Sequence, residues 1–116
     1  GFSHAVVAKG VQHIAYIAGQ GGENKTGHLE GDFAAQVRQA YKNLMTAIKA
    51  TGATPQQVTK LTTYVVDYEQ SKLAVMTQEL KAVFGDHLPA QTLVPVSRLA
   101  LDGMLFEVDA VAVLAE

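Results

Sequence analysis

The spacing of apolar residues changes several times along the chain, and each change predicts a different element. Two stretches repeat apolar residues at steps of three and four, which is the spacing of one helix face. Short stretches rich in β-branched and aromatic residues, bounded by Gly or Pro, predict strands. Asp32 is the predicted N-cap of the first helix and Gly52 its predicted stop. The predicted order is β-β-α-β-α-β-β, with strands over residues 3–10, 13–20, 58–67, 91–100 and 103–114 and helices over 33–51 and 71–84.

The last predicted strand has two unlike faces, because alternate side chains of a strand share a face. One row is entirely apolar and is the natural seat for two helices, which can cover only one face of such a sheet: Phe106, Val108, Ala110 and Ala112. The opposite row is apolar at its ends and acidic in the middle: Leu105, Glu107, Asp109, Val111 and Val113. A sealed core would not hold unpaired acids. We therefore expect this face to meet another subunit, with Glu107 or Asp109 lining a cleft between subunits.

Composition and charge exclude several classes of function. A length of 116 residues predicts a single domain, residues 1–116, and a net charge of −2 does not suit a nucleic-acid partner. The absence of Cys excludes thiol nucleophiles and disulfides. No apolar run approaches the roughly 18 residues that span a bilayer, and no secretion signal is recognisable, so we expect a cytoplasmic protein without a membrane partner. The four histidines form no i, i+2 or i, i+4 pair, so we expect no metal site and no cofactor.

An ordered set of stretches along nearly the whole chain resembles the RidA/YjgF family, which is also called L-PSP endoribonuclease-like. The stretches are "FSHAVV" (2–7), "YIAGQ" (16–20), "GDFAAQVRQAYKNL" (31–44), "VTKLTTYVVD" (58–67), "FGDHLPA" (84–90) and "FEVDAVAV" (106–113). The resemblance implies a chorismate-mutase-like α+β fold with a mixed sheet and two helices on one face. It also implies a homotrimer with clefts between neighbouring subunits. Well-known members hydrolyse reactive enamines or imines to a 2-keto acid and ammonia.

The resemblance also implies roles for individual residues. Glu107 matches a glutamate that is thought to hold the water or relay the proton, and is the candidate catalytic residue. The alternative for Glu107 is an interface acid paired with a Lys or Arg of a neighbouring subunit. We interpret Asp109, two positions along the same row, as structural or interfacial.

The implied substrate-binding positions depart from the family pattern in one direction. Phe2 stands where the family often has Tyr, Ala18 where it often has Ser before Gly19, and Thr77 where it often has Asn. Gln91 follows Pro-Ala where active members usually have Arg, and a neutral amide cannot form the strong bidentate pair with a carboxylate that Arg forms. We therefore expect an altered substrate, unless Gln91 is a plain strand amide.

Arg98 is the other cation of the same predicted strand. It lies an odd number of positions from Gln91, so in a regular strand it faces the opposite way; only a bulge near Pro95 would reverse this.

Three functions remain open from the sequence. The first is a RidA-like deaminase that acts on a small imine or enamine in an inter-subunit cleft. The second is a non-catalytic homotrimer that binds a small ligand there. The third, an endoribonuclease or translation inhibitor, has the least support, because the chain has neither a His pair nor a basic stripe with aromatic residues.

Overall fold

The computed structural model describes residues 1–115 and contains two long helices and four strands. A short 3-10 turn, Pro55–Gln57, leads into the second strand. The elements are β1 (His13–Gly21), α1 (Phe33–Ala50), β2 (Val58–Val66), α2 (Gln70–Phe84), β3 (Ala90–Val96) and β4 (Phe106–Leu114).

The four strands form one mixed sheet in the order β1-β4-β2-β3. β4 pairs antiparallel with both β1 and β2, whereas β2 and β3 run parallel. The prediction of an α+β fold with a mixed sheet and two helices is confirmed. β3 lies at an edge of the sheet, which is where a strand containing Pro95 is expected because Pro has no N–H to donate.

The first predicted strand, residues 3–10, does not form, so the observed order has one strand fewer than predicted. Ser3 makes an isolated bridge to Ala90, and residues 4–10 are exposed. The valines of this stretch favour an extended chain, but strand propensity alone cannot hold a segment that buries no side chain. Gly10, at the end of this stretch, has φ of 67°, in the left-handed region that favours glycine.

The two helices pack on one side of the sheet, which we name the covered face. The apolar row of β4 lies there as predicted, with Phe106 and Val108 completely buried. Tyr41 and Phe33 of α1 pack their rings against Phe106, with centroids 5.9 and 6.1 Å from its ring. The core is completed by residues from both helices and from β1 and β2: Ile17, Val37, Leu44, Ile48, Leu61, Val65, Met76, Leu80 and Phe84.

The ends of α1 match their predicted signals. The Asp32 side chain accepts a hydrogen bond from the Ala35 backbone N–H, which satisfies one of the free donors of the first turn. Gly52, just beyond the helix, has φ of 87°, a conformation that L side chains rarely adopt.

Gln36 is a polar exception within the core. Its Nε2 donates to the carbonyl oxygens of Glu30 and Gly103 at 2.6 and 2.9 Å, and its Oε1 accepts from the Leu105 N–H at 2.8 Å. This completely buried amide therefore ties α1 to the loop that precedes β4.

The opposite side of the sheet, which we name the open face, has no helix on it. It carries Glu107, Asp109, Val111 and Val113 of β4, which are neither buried nor fully exposed. In-register pairing adds residues of the neighbouring strands: Ile14, Tyr16, Lys60, Thr62 and Tyr64. Tyr16 is 78% exposed and Ile14 52%, so this face presents large apolar side chains to solvent in the single chain.

Candidate functional site

Three of the predicted substrate-binding residues, Phe2, Thr77 and Gln91, line one cavity of about 390 Å³. The cavity lies between α2 and the exposed edge of β3. Its remaining lining residues are Gly1, Leu73, Met76, Leu80, Thr92 and Leu93.

Phe2 reaches this cavity because the residue after it is anchored. The Ser3 N–H donates to the Pro89 carbonyl at 3.1 Å, and Ser3 Oγ donates to the Leu88 carbonyl at 2.6 Å. These two bonds fix the start of the chain beside β3. Phe2 itself stays 50% exposed, and its ring contacts that of His4 edge-on at 5.2 Å.

Gln91 points to the covered-face side of β3. It is in register with Leu61, and its Nε2 donates to Thr63 Oγ1 at 3.4 Å. Arg98 does not line the cavity: it lies beyond the end of β3, where its guanidinium contacts Asp102 at 3.5 Å in an exposed loop. No Lys, Arg or His side chain of residues 1–115 lines this cavity.

Glu107 lies elsewhere, on the open face, with Gly21 and Tyr64 as its in-register neighbours. The ladder between β1 and β4 shifts register between Ile17 and Gln20, and this irregularity places Ala18 and Gly19 at the surface. A Cβ on Gly19 would overlap Glu107 Oε1. Only glycine therefore allows the carboxylate to lie directly against the β1 backbone.

The environment of Glu107 favours its protonated form. Partial burial raises the pKa of the Glu107 carboxyl, and the nearby carboxylates of Glu23 and Asp109 raise it further. Asp109 also accepts a hydrogen bond from the Tyr64 hydroxyl at 3.2 Å. Removal from solvent and the Asp109 charge raise the pKa of Tyr64, so this phenol stays a donor.

Glu23 owes its position to a side chain of α1. Asn43 Nδ2 donates to the carbonyl oxygens of Gly21 and Glu23 at 2.9 and 2.8 Å. Glu23 Oε2 lies 3.1 Å from the position of a Cβ on Gly21, which is the in-register neighbour of Glu107. The sequence did not single out Glu23, Asn43 or Tyr64, although the apolar stripe of α1 does leave Asn43 as a polar residue facing the glycine-rich loop.

The candidate residues thus form two groups on opposite sides of the sheet. Phe2, Thr77 and Gln91 share the cavity beside α2, whereas Gly19 and Glu107 share the open face. Ala18 is exposed beside Gly19 and does not line that cavity. A site that uses both groups therefore needs a second copy of the chain.

Two further features are absent from residues 1–115. No group of three or more His, Asp or Glu residues is placed to hold a metal ion. Neither helix of this part of the chain has the length and apolar character that crossing a membrane requires.

Comparison with family models gives a match to Endoribonuclease L-PSP over residues 1–114. The chain belongs to this family. The names RidA and YjgF appear among its structural neighbours, so the resemblance to the RidA/YjgF family is confirmed.

Relatives and solved structures of the family agree with this assignment. A RutC family protein of Pyrococcus horikoshii is 36% identical over 102 residues, which cover 86% of this chain and 79% of that protein. A 2-iminobutanoate/2-iminopropanoate deaminase of Escherichia coli is 34% identical over 92 residues, covering 77% of this chain and 70% of the enzyme. The crystal structure of a Rid family protein of unknown function from Yersinia pestis has a TM-score of 0.91 at 37% identity and covers 98% of this chain and 87% of that one.

Proposed function

We propose that this RidA/YjgF family protein hydrolyses a small reactive imine or enamine in a cleft between the subunits of a homotrimer, with residues 1–116 as one domain of each subunit. The observation that carries the proposal is the placement of Glu107 against the bare backbone of Gly19. Gly19 lets a carboxyl group with a raised pKa lie against the β1 backbone on the face that no helix covers, where a small molecule and water can reach it. The deaminase among the relatives supports the same chemistry.

In this mechanism Glu107 acts as a general acid and base. Water adds to the C=N carbon as the Glu107 carboxylate accepts one water proton and passes it to the imine nitrogen, which gives a carbinolamine. Glu107 then accepts the hydroxyl proton and delivers it to the amino group, so that the C=O bond forms as ammonia leaves. Imine and water are thus converted to carbonyl compound and ammonia. A carboxyl group with a raised pKa suits both proton transfers, because its pKa lies nearer to neutral pH.

The homotrimer is part of the proposal because one chain separates the two groups of residues. Glu107 lies on the open face, and the cavity around Gln91 lies beside α2. If the open face packs against the β3 edge of a neighbouring copy, Glu107 of one chain meets the cavity of the next. Burial of Ile14 and Tyr16 would drive this contact, since roughly 25 cal/mol is gained per Å² of apolar surface removed from water.

The first test measures the hydrolysis of imines that are released in situ. The rate at which imine absorbance is lost with protein is compared with the rate in buffer alone. We expect acceleration by the wild-type protein. Glu107→Gln should lower the rate by roughly 10² to 10⁴, the usual contribution of general acid-base catalysis. Glu30→Gln is the matched control, because Glu30 is exposed and its carboxylate lies 3.9 Å from the exposed His28 ring, away from the open face.

Gln91 also favours a second candidate, a trimer that binds a small ligand without turnover, because the cavity lacks the usual cation. That function predicts a rise in melting temperature with a metabolite, no product, and no effect of Glu107→Gln on that rise. Acceleration of hydrolysis that Glu107→Gln abolishes would exclude it.

A further inference from the structure

The cavity around Gln91 is walled mainly by apolar side chains: Phe2, Leu73, Met76, Leu80 and Leu93. A volume of about 390 Å³ lies within the range of small-molecule sites, roughly 300 to 1,000 Å³. Its walls suit an aliphatic group. The polar atoms of the cavity therefore determine which polar head group a ligand with an aliphatic tail can have.

A short hydrogen-bond chain sets the orientation of the Gln91 amide. Thr63 Oγ1 lies 3.5 Å from the Thr92 carbonyl and 3.4 Å from Gln91 Nε2. A hydroxyl has one hydrogen, and the carbonyl can only accept, so the Thr63 hydroxyl donates to Thr92 and accepts from Gln91. The NH₂ of Gln91 is thereby turned to Thr63, and its Oε1 is turned away.

Gln91 lines the cavity, and its amide oxygen is left free to accept a hydrogen bond. Gln91 Oε1 receives no hydrogen bond from any donor within residues 1–115. A ligand carboxylate placed there would meet another acceptor, and the second Gln91 N–H, being neutral, offers it no charge-assisted bond. In the part of the chain that the structure describes, no Lys, Arg or His side chain lines the cavity to offset the water that a carboxylate would lose there, and that loss is unfavourable.

Lys60 does not supply the missing charge. Its Nζ donates to Thr92 Oγ1 at 2.6 Å. Lys60 precedes Leu61 in β2, and Thr92 follows Gln91 in β3. Because successive side chains of a strand alternate between faces, Lys60 and Thr92 point to the open face. This ammonium group is bonded to the Thr92 hydroxyl, and Lys60 is not among the residues that line the cavity.

We propose that the cavity selects an uncharged aliphatic ligand with a hydrogen-bond donor, so that the substrate is a neutral imine without a carboxylate. Gln91 determines this specificity through Oε1, and Thr63 is a positioning residue that holds the amide. The inference rests on the proposed function where it identifies the ligand as a substrate. The ligand selectivity of the cavity can be tested without turnover.

The test compares two probes that share one skeleton, 4-methylpentanamide and 4-methylpentanoate, in titrations followed by NMR of the Leu and Met methyl groups. We expect the amide to bind wild-type protein at least tenfold more tightly than the carboxylate. Gln91→Arg should reverse this order. Gln78→Arg adds the same cation at an exposed position of α2 outside the cavity and should leave the ratio unchanged.

A second variant keeps the test independent of the new charge. Thr63→Val retains the shape of a completely buried side chain but removes the hydroxyl that holds the amide. The ratio of the two affinities should then fall towards one. Equal or tighter binding of the carboxylate by wild-type protein, failure of both probes to bind, or an unchanged ratio in Gln91→Arg would each overturn the inference.

Turnover separates this inference from the proposed function. A flavin amine oxidase acting on 3-methylbutylamine and an L-amino-acid oxidase acting on leucine release imines without and with a carboxylate. Faster hydrolysis of the neutral imine supports both proposals, and equal hydrolysis overturns only the inference. Selective amide binding with no hydrolysis of either imine supports the inference as a statement about ligands and overturns the proposed function.

Discussion

The two faces of the sheet are formed by the same strands but differ in how far they are buried in the single chain. On the covered face, Phe106 and Val108 have no exposed surface, because α1 and α2 lie over them. On the open face, the intervening residues of β4 remain accessible, and Tyr16 of β1 is mostly exposed.

The difference shows which partner each face needs in order to be buried. An uninterrupted apolar row needs only the chain's own helices to bury it. A row that mixes valines with two carboxylates has no such partner within residues 1–115. The covered face thus determines the fold, whereas the open face is where we propose assembly and chemistry.

The largest effect is expected from a cavity in the covered face. Phe106→Ala removes a completely buried ring that packs on Phe33 and Tyr41, and should cost about 3–5 kcal/mol of unfolding free energy. Chemical denaturation measures this. Val113→Ala, a truncation on the open face of the same strand, should cost much less in the monomer; equal losses would remove the distinction between the faces.

Replacement of Gln36 tests how much its buried amide contributes to stability on the covered face. Gln36→Leu keeps the bulk of the side chain but leaves the Leu105 N–H and two carbonyl groups without their partner. We expect a loss of about 1–3 kcal/mol in denaturation, the typical cost of unpaired buried polar groups. Gln39→Leu on the same helix is the comparison, since the partly buried Gln39 makes one side-chain bond, to Asn43. A neutral Gln36→Leu would contradict the importance of the amide.

A charge on the open face should affect assembly more than folding. Tyr16→Glu places a carboxylate at a site that is 78% exposed in one chain, so the monomer should fold normally. We expect the homotrimer to dissociate at concentrations at least tenfold higher than for wild type, measured by light scattering after size exclusion. Lys49→Glu, on the exposed side of α1, should not change the mass. A wild-type protein that runs as a monomer would refute the expectation.

The smallest effect is a pH dependence on the open face. The pKa of Glu107 is raised above its ordinary value of 4.5, so the folded state holds this proton to higher pH than the unfolded state does. Stability from this group is therefore lost as pH rises from about 4.5 through the folded pKa. Glu107→Gln should raise the melting temperature relative to wild type at pH 7 more than at pH 4. An equal difference at both values would contradict the raised pKa.

Much of the fold could be predicted from the sequence, because local chemistry determines it. The Asp32 cap, the Gly52 stop and the apolar row around Phe106 all depend on contacts between near neighbours or on simple periodicity. The first strand was predicted wrongly because that prediction also used local chemistry alone. Residues 3–10 have strand composition, but long-range pairing decides whether they join the sheet.

The site was harder to predict. Sequence alone indicated Glu107 or Asp109 by their position in an apolar row, and the family resemblance favoured Glu107 and added Gly19, Thr77 and Gln91. It did not reveal that Gln91 and Glu107 lie on opposite sides of the sheet, because that depends on the pairing of β2 with both β3 and β4. Glu23 was missed because Asn43, 20 positions away, holds the loop that carries it.

The placement of Pro95 in β3 has a consequence for the behaviour of the protein at high concentration. Exposed margins of sheets invite strands from other molecules, and growth of such contacts produces fibrils. Here the start of the margin is occupied by Ser3, and further along Pro95 has no amide hydrogen to offer an incoming strand. The β3 edge of the folded chain is thus guarded against open-ended aggregation.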